Sequence, residues 1–241
     1  MVRDNEHMRE TTMRNIIMTT VAMTALGATI PARAQDGGDP TLYVAGYVEA
    51  TYAGKNQAAA LLRQLAGAAR KHEGVIRFEV LQRTSPNNQF MIVEIWKDQQ
   101  ARDTHMASAE RKEFQGQIEP LLIAPIDDRL NLKTSVAPVQ PASIARSAVY
   151  VVSHVDVPGA NRDKLLPAIT ALAEASRKDS GNWRFDVAYQ KNRTNHFTVF
   201  EGWKDQKSND AHEQAAHTKE FRSVLTPLTG AMYDQRWYKG L

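Results

Sequence analysis

The sequence predicts an α+β protein built from two tandem ferredoxin-like domains, each with the element order βαββαβ. The first observation is an internal repeat: residues 94–114 return at 201–221, with 11 of 21 positions identical and no gap. The repeat spacing of 107 residues has the size of a small domain. The second observation is that each copy reads as strand–helix–strand–strand–helix–strand. A four-stranded sheet with helices on one face needs cover on its other face, so the two copies are predicted to form an internal pseudo-dimeric α/β barrel.

The first three elements of each copy follow from its hydrophobic pattern. Residues 42–52 alternate loosely and are rich in Tyr and Val, which predicts a strand. From residue 56 the apolar side chains follow helical spacing up to residue 69, and Gly74 provides the stop. Residues 75–83 form the next predicted strand. In the second copy Gly181 ends the equivalent helix.

The last three elements contain the most similar segment of the repeat. Residues 90–97 predict the third strand, and period two places a carboxylate and a tryptophan on one face in each copy: Glu94 with Trp96, and Glu201 with Trp203. Asp98 and Asp205 then occupy positions typical of helix N-caps. A polar helix is expected through 105–114 and 212–221. The final strands are expected at 127–133 and 234–239.

The N-terminal segment 1–34 predicts a secretory signal peptide. A basic start precedes an uncharged run from Ile16 to Ile30, and a small-x-small cleavage site ends at Ala34. The run is short for a membrane span, so we expect no membrane span in the mature chain and a periplasmic or secreted protein. The alternative is a retained N-terminal anchor. The acidic segment from Asp4 to Glu10 is unusual for such a signal, so a translation start at Met8 or Met13 is an alternative to Met1.

The remaining chain divides into a first domain at 42–133, a Pro-containing linker at 134–148 and a second domain at 149–240. The net charge of +3 gives little support to a nucleic-acid partner. The chain has no cysteine, which excludes thiol nucleophiles, thiolate zinc sites and iron–sulfur clusters. No His-x-x-x-His pattern or carboxylate cluster recurs at the spacing of metal ligands. We therefore expect no metal site.

The pattern Glu-x-Trp-x-Asp, followed by a polar helix and a His nine residues after the Trp, resembles the antibiotic biosynthesis monooxygenase family. The Gly-x-x-x-Phe segments at 74–78 and 181–185 are also similar to that family. The resemblance covers 42–133 and 149–240, and it implies a fold of the dimeric α/β-barrel superfamily. It also implies a reaction between O2 and a small electron-rich aromatic, a quinol or polyphenol, with no flavin, haem or metal cofactor.

The resemblance assigns roles to ten residues. The implied bases are His105 and His212, and the implied substrate-binding residues are Trp96, Trp203, Glu94, Glu201, Tyr47, His154, Arg77 and Arg184. Tyr47 and His154 occupy equivalent first-strand positions and are expected to make the two pockets different. The structural alternatives are tryptophans that anchor the core, histidines held by a structural hydrogen bond and glutamates in sheet-face salt bridges.

The leading hypothesis is therefore an exported, cofactor-independent monooxygenase of a small aromatic substrate. The competing hypothesis is a non-catalytic binding module for small aromatic or haem-like ligands. A third is that one copy is active and the other completes the barrel. Haem degradation is disfavoured because haem-degrading relatives use a first-strand Asn, where this chain has Tyr47 and His154. Further self-association of the pseudo-dimer stays open.

Overall fold

The structure is a computed structural model, and it describes residues 39–137, 147–231 and 233–241. The predicted signal peptide at 1–34 and the middle of the predicted linker, residues 138–146, lie outside the described residues. Among the helices of the described ranges, none combines the length and the apolar character needed to cross a membrane.

The described part of each repeat contains four strands and three α-helices. The strands are β1 Leu42–Glu49, β2 Val75–Arg83, β3 Gln89–Trp96, β4 Asp127–Ser135, β5 Val149–Asp156, β6 Asn182–Gln190, β7 Arg193–Trp203 and β8 Asp234–Gly240. The helices are α1 Lys55–Ala69, α2 Gln99–Ala107, α3 Ala109–Ile118, α4 Arg162–Ser176, α5 Gln206–Gln214 and α6 Ala216–Leu225. Short 3-10 turns lie at Glu119–Leu121 and Gly159–Asn161.

The eight strands form one closed antiparallel barrel in the order β1-β3-β2-β8-β5-β7-β6-β4. Each repeat supplies four neighbouring strands, and two pairings join the repeats. β2 pairs with β8, with Leu81 opposite Gly240, and β4 pairs with β6, with Asn131 opposite Gln190. The predicted pair of ferredoxin-like units closing into an internal α/β barrel is confirmed.

The two faces of each strand serve different cores. On the outer face, Phe90 and Trp96 pack with Leu62 of α1 in a cluster that belongs to the first repeat, and the second repeat has an equivalent cluster. On the inner face, side chains of both repeats meet inside the barrel, among them Met91 and Tyr150. Because successive strand residues alternate between faces, a one-residue step decides which core a side chain enters.

The polar helix expected through 105–114 is in fact two helices. Ser108 breaks the helix with an extended ψ of 157°, and its Oγ accepts a hydrogen bond from the N–H of Arg111 at 3.2 Å. The second repeat breaks at Ala215, whose methyl side chain cannot cap a helix. The break therefore does not depend on a capping side chain. The predicted N-caps are confirmed: Asp98 accepts from the N–H of Ala101, and Asp205 from that of Ser208, each at 2.8 Å.

Candidate active site

In the first repeat, a glutamate, a tryptophan and a histidine lie together beneath the helices. Strand β3 places Glu94 and Trp96 on its outer face, and the indole N–H of Trp96 donates to Glu94 Oε2 at 2.6 Å. His105 reaches the same place from α2, and its ring stacks on Trp96 with centroids 5.0 Å apart and planes 28° apart. All three side chains are essentially inaccessible, at 0–1% exposure.

The second repeat builds the same arrangement. The indole N–H of Trp203 donates to Glu201 Oε2 at 3.0 Å, and the ring of His212 lies 4.6 Å from that of Trp203. In both copies, therefore, the fold brings together the Glu, Trp and His that the sequence singled out.

Two buried arginines surround the first cluster, and sequence reasoning missed them. Arg102 of α2 donates to Asp128 Oδ2 at 2.7 Å, and its Nε lies 3.5 Å from Glu94 Oε2. Arg111 of α3 lies 3.9 Å from the same Asp128 oxygen. The sequence does contain a signal for these arginines, because the two copies differ at their positions. Arg102, Arg111 and Asp128 correspond to Asn209, Thr218 and Gln235 in the second copy.

The first cluster also concentrates buried polar atoms that lack a protein partner. Neither ring nitrogen of His105 has a hydrogen-bond partner among the described residues, and the same holds for Glu94 Oε1, Asp128 Oδ1 and two nitrogens of Arg111. Buried polar atoms are nearly always paired, and an unpaired one costs about 1–3 kcal/mol. A polar ligand or water that bonds these atoms would remove that cost.

The surroundings of His105 determine its charge. Burial lowers the pKa of His105 to about 4, and the nearby His72, Arg111 and Arg102 lower it in the same direction. Burial also raises the pKa of Glu94, against the opposing effect of Arg102. His72, from the turn after α1, packs edge-on against His105 with ring centroids 4.9 Å apart. At neutral pH the buried imidazole is thus uncharged, and its two ring nitrogens can take part in hydrogen bonds as one donor and one acceptor.

The second cluster has different polar partners. His212 Nδ1 lies 2.8 Å from Asp179 Oδ2, so this imidazole is hydrogen bonded where His105 is not. Burial lowers the pKa of His212, and the bond to Asp179 opposes that effect. Burial raises the pKa of Glu201 to about 8. Ser153 Oγ lies 3.5 Å from the other carboxylate oxygen of Glu201. The two repeats therefore share the stack and differ in the charges around it.

Comparison with known proteins shows the same duplication of the chain. The model of the antibiotic biosynthesis monooxygenase family matches residues 41–117 and 148–224, more than half of the chain. The chain belongs to this family. The matched ranges contain both Glu–Trp–His clusters.

Relatives of the family resemble either one repeat or the whole barrel. A Bacillus subtilis protein named "Putative monooxygenase YcnE" is 26% identical over 86 residues, which cover 36% of this chain and 90% of that protein. A crystal structure from Fusobacterium nucleatum with the same general designation has a TM-score of 0.77 and 16% identity, covering 83% of this chain and 92% of that one. Another, from Lactobacillus acidophilus, has a TM-score of 0.71 and 12% identity, covering 83% and 94%. At these identities the two structures support the fold alone.

The other four residues implied by the family resemblance lie on the opposite face of the sheet, inside the barrel. Tyr47 Oη is 2.6 Å from His154 Nε2, so these residues form one pair shared by the repeats, where we expected them to line two separate pockets. Burial lowers the pKa of His154 to about 4, and Arg129 and Arg236 contribute to that shift. Burial raises the pKa of Tyr47.

Arg77 and Arg184 also face the barrel interior, where carboxylates neutralise them. Arg184 contacts Asp186 at 2.7 Å and Glu79 of the other repeat at 3.1 Å. Arg77 Nη1 lies 3.0 Å from the other oxygen of Glu79. This ion network crosses between the repeats, and the fold does not bring it together with His105 or His212.

A cavity of about 170 Å³ opens beside the tyrosine–histidine pair. Its lining combines aromatic and cationic side chains, among them Tyr47, Phe90, Tyr238, Arg129 and Arg236. Arg129 and Arg236, which are equivalent in the two repeats, lie 4.6 Å and 5.8 Å from the ring of Tyr47. The sheet therefore carries Glu–Trp–His clusters on its outer face, and a tyrosine–histidine pair and an ion network on its inner face.

Proposed function

We propose that this protein is an exported monooxygenase that oxidises an electron-rich phenol or quinol with O2 and needs no added cofactor. The observation that carries the proposal is the uncharged His105 ring, stacked on Trp96 with both nitrogens unpaired, close to two buried arginines. Membership of a monooxygenase family supports the class of reaction.

The first step uses His105 as the base. A phenolic hydroxyl that donates to a ring nitrogen of His105 would pair one of the orphaned atoms, and proton transfer would leave a phenolate. Arg102 and Arg111 supply positive charge near His105, and both lower the pKa of its ring. A cationic environment without bulk water stabilises the phenolate oxygen strongly. His105 already covers one face of the Trp96 indole. The role of Trp96 is therefore to hold the imidazole of His105.

The reaction with O2 needs no outside reductant, because the substrate supplies the electrons. The phenolate carbon para to the oxygen adds O2 to give a peroxide, and His105 returns its proton to the terminal peroxide oxygen. Loss of the ring-carbon proton and of hydroxide, which together make water, leaves a carbonyl. A naphthol thus becomes a naphthoquinone: the substrate loses two hydrogens and gains one oxygen atom, and the second oxygen atom of O2 leaves as water.

The two repeats contribute unequally in this proposal. His212 already holds a hydrogen bond to Asp179, and the arginine positions of its cluster are occupied by Asn209 and Thr218. The second cluster therefore lacks the unpaired imidazole, and the cation that acts on Glu201, Arg222, is paired with Glu213. We place the base function at His105, and His212 contributes little to turnover.

A binding module for small aromatic molecules is the second candidate, and the barrel cavity favours it. Tyr47, Arg129 and Arg236 in its lining can hold a planar anion through cation–π and ionic contacts. This function predicts saturable binding without oxygen consumption.

Oxygen uptake by the purified protein distinguishes the two functions. The substrates are a small panel of hydroquinones and naphthols at pH 6.5, with metals chelated. The proposal expects uptake above the autoxidation rate and, with ¹⁸O2 and a naphthol, one labelled atom in the quinone. Uptake at the autoxidation rate together with saturable quenching of tryptophan fluorescence would establish the binding module instead.

The export part of the proposal has its own test. N-terminal sequencing of the protein recovered from a bacterial periplasmic fraction should begin at Gln35, because the small-x-small site ends at Ala34. Recovery only in the cytoplasm with residues 1–34 intact would contradict export.

A further inference from the structure

In the second repeat, a carboxylate and two imidazoles converge on one point. Asp179 Oδ2 lies 2.8 Å from His212 Nδ1 and 3.1 Å from His217 Nε2, and the three ligand atoms all lie within 4.8 Å of one another. Ligand atoms held about 2.1 Å from a metal ion are roughly 3.0 Å apart at octahedral angles and roughly 3.4 Å apart at tetrahedral angles. We propose that Asp179, His212 and His217 bind one divalent transition-metal ion.

The fold creates this grouping from distant parts of the sequence. Asp179 lies in the turn between α4 and β6, whereas His212 lies in α5 and His217 in α6. The helix break at Ala215 turns the chain between the two histidines, which are five residues apart and still point to the same carboxylate oxygen. We expected no metal site because no His-x-x-x-His or carboxylate cluster recurs in both copies. His212 and His217 are separated by four residues, a usual ligand spacing, but the first copy has Glu110 at the position of His217.

The ligand types select the class of metal. Two imidazoles and one carboxylate suit Zn²⁺, Co²⁺, Ni²⁺ or Fe²⁺, whereas Ca²⁺ and Mg²⁺ prefer oxygen ligands. Three protein ligands leave positions for water. The side chains of Asp179 and His217 are 23% and 24% exposed, so an ion can enter from solvent, whereas His212 is buried.

Polar groups also lie near the second ring nitrogen of the buried ligand. If Nδ1 of His212 binds the ion, Nε2 carries the proton and lies 3.9 Å from Glu201 Oε2, and Thr218 Oγ1 is 3.4 Å from both ring nitrogens. In metal sites the second ring nitrogen of a ligating histidine usually donates to a carboxylate, a backbone carbonyl or water. Glu201 is itself held by the indole N–H of Trp203.

The first repeat is a natural comparison, because its equivalent positions carry the same residue classes in another order: His72, His105 and Glu110. There Glu110 is exposed, and the rings of His72 and His105 meet edge-on. Arg102 and Arg111 add positive charge that would repel a cation, and the second repeat lacks both. Over the described ranges, Asp179, His212 and His217 form the one grouping of three potential ligands.

The proposal goes beyond the proposed function and does not depend on it. An ion on Nδ1 leaves the remaining ring nitrogen of His212 protonated, so a metal-loaded His212 cannot serve as a base. Substrate oxidation at His105 and metal binding at His212 would then divide the two copies of one duplicated cluster between two tasks.

Calorimetric titration of the untagged, chelator-stripped full chain with Zn²⁺ tests the site, and titration with Co²⁺ reports its ligands by visible absorption. We expect one ion per chain, with at least a tenfold loss of affinity in Asp179→Ala and His217→Gln. His217 is partly exposed, so His217→Gln should fold even if a His212 variant does not. The matched controls Glu110→Gln and His72→Gln, at the equivalent positions of the first repeat, should keep the affinity of the parent protein.

Four results would each overturn the site. They are no binding at submillimolar Zn²⁺, unchanged affinity in His217→Gln, an equal loss of affinity in the first-repeat controls, and a Co²⁺ spectrum identical in the parent and His217→Gln. Because none of these readouts uses oxygen uptake, failure of the metal site and failure of the oxygenase proposal are separate results.

Discussion

His105 and Trp96 lie face to face, with ring centroids 5.0 Å apart, although one belongs to a helix and the other to a strand. The stack fixes the plane of the imidazole, and the bond from Trp96 to Glu94 fixes the indole in turn. An imidazole that is held by packing keeps both of its nitrogens available to a ligand. His105 is therefore oriented by its ring contacts, without a hydrogen bond to a polar residue in the described part of the chain.

The burial of His105 predicts a specific pH dependence of stability. Its pKa falls from 6.5 to about 4 on folding, so the unfolded chain binds more protons between these values and stability decreases as the pH falls through that window. Replacing His105 with Gln should reduce the difference in unfolding free energy between pH 7 and pH 5 by roughly 2 kcal/mol. Urea unfolding of both proteins at the two pH values measures this. An unchanged difference would show that His105 is protonated normally in the fold.

Arg111 should matter to turnover more than its weak contact with Asp128 suggests. Removing its charge in Arg111→Gln takes away stabilisation of the phenolate, and kcat/KM should fall about 10–100-fold. Arg111→Lys should recover part of the loss. The exposed neighbour Lys112 provides the control, since Lys112→Gln should keep the parent rate. Equal rates in Arg111→Gln and the parent protein would remove Arg111 from the site.

The tyrosine–histidine pair inside the barrel should contribute to stability. Tyr47→Phe leaves Nε2 of His154 buried without its partner, which should cost about 1–3 kcal/mol of unfolding free energy. The double variant Tyr47→Phe/His154→Leu should cost less than the sum of its single changes, because it removes both polar atoms. Chemical denaturation measures each value, with the exposed Tyr52→Phe as a neutral control. Additive single and double changes would mean that the two residues do not interact.

The fold could be predicted from the sequence because more than one observation indicates it. The repeat occurs twice, and period two alone decides that Glu94 and Trp96 share the outer face. The helix break could not be predicted from the repeat, since Ser108 and Ala215 have no common side-chain chemistry.

The candidate site could be predicted only where the copies agree. Glu, Trp and His recur at matching positions, whereas Arg102 and Arg111 have no charged counterpart in the second repeat and were missed. Asp179 was missed for a different reason, because it meets His212 only through the turn between α4 and β6. Differences between duplicated copies therefore hold as much functional information as the identities.

Our central proposal is that His105, whose ring nitrogens have no hydrogen-bond partner among the described residues, acts as the base. The most direct measurement compares naphthol-dependent oxygen uptake by the parent protein, His105→Gln and His212→Gln under chelating conditions. We expect His105→Gln to lose at least about 100-fold in rate, as expected for a missing general base, and His212→Gln to stay within a few fold of the parent. Equal losses in the two variants, or full activity in His105→Gln, would contradict the account.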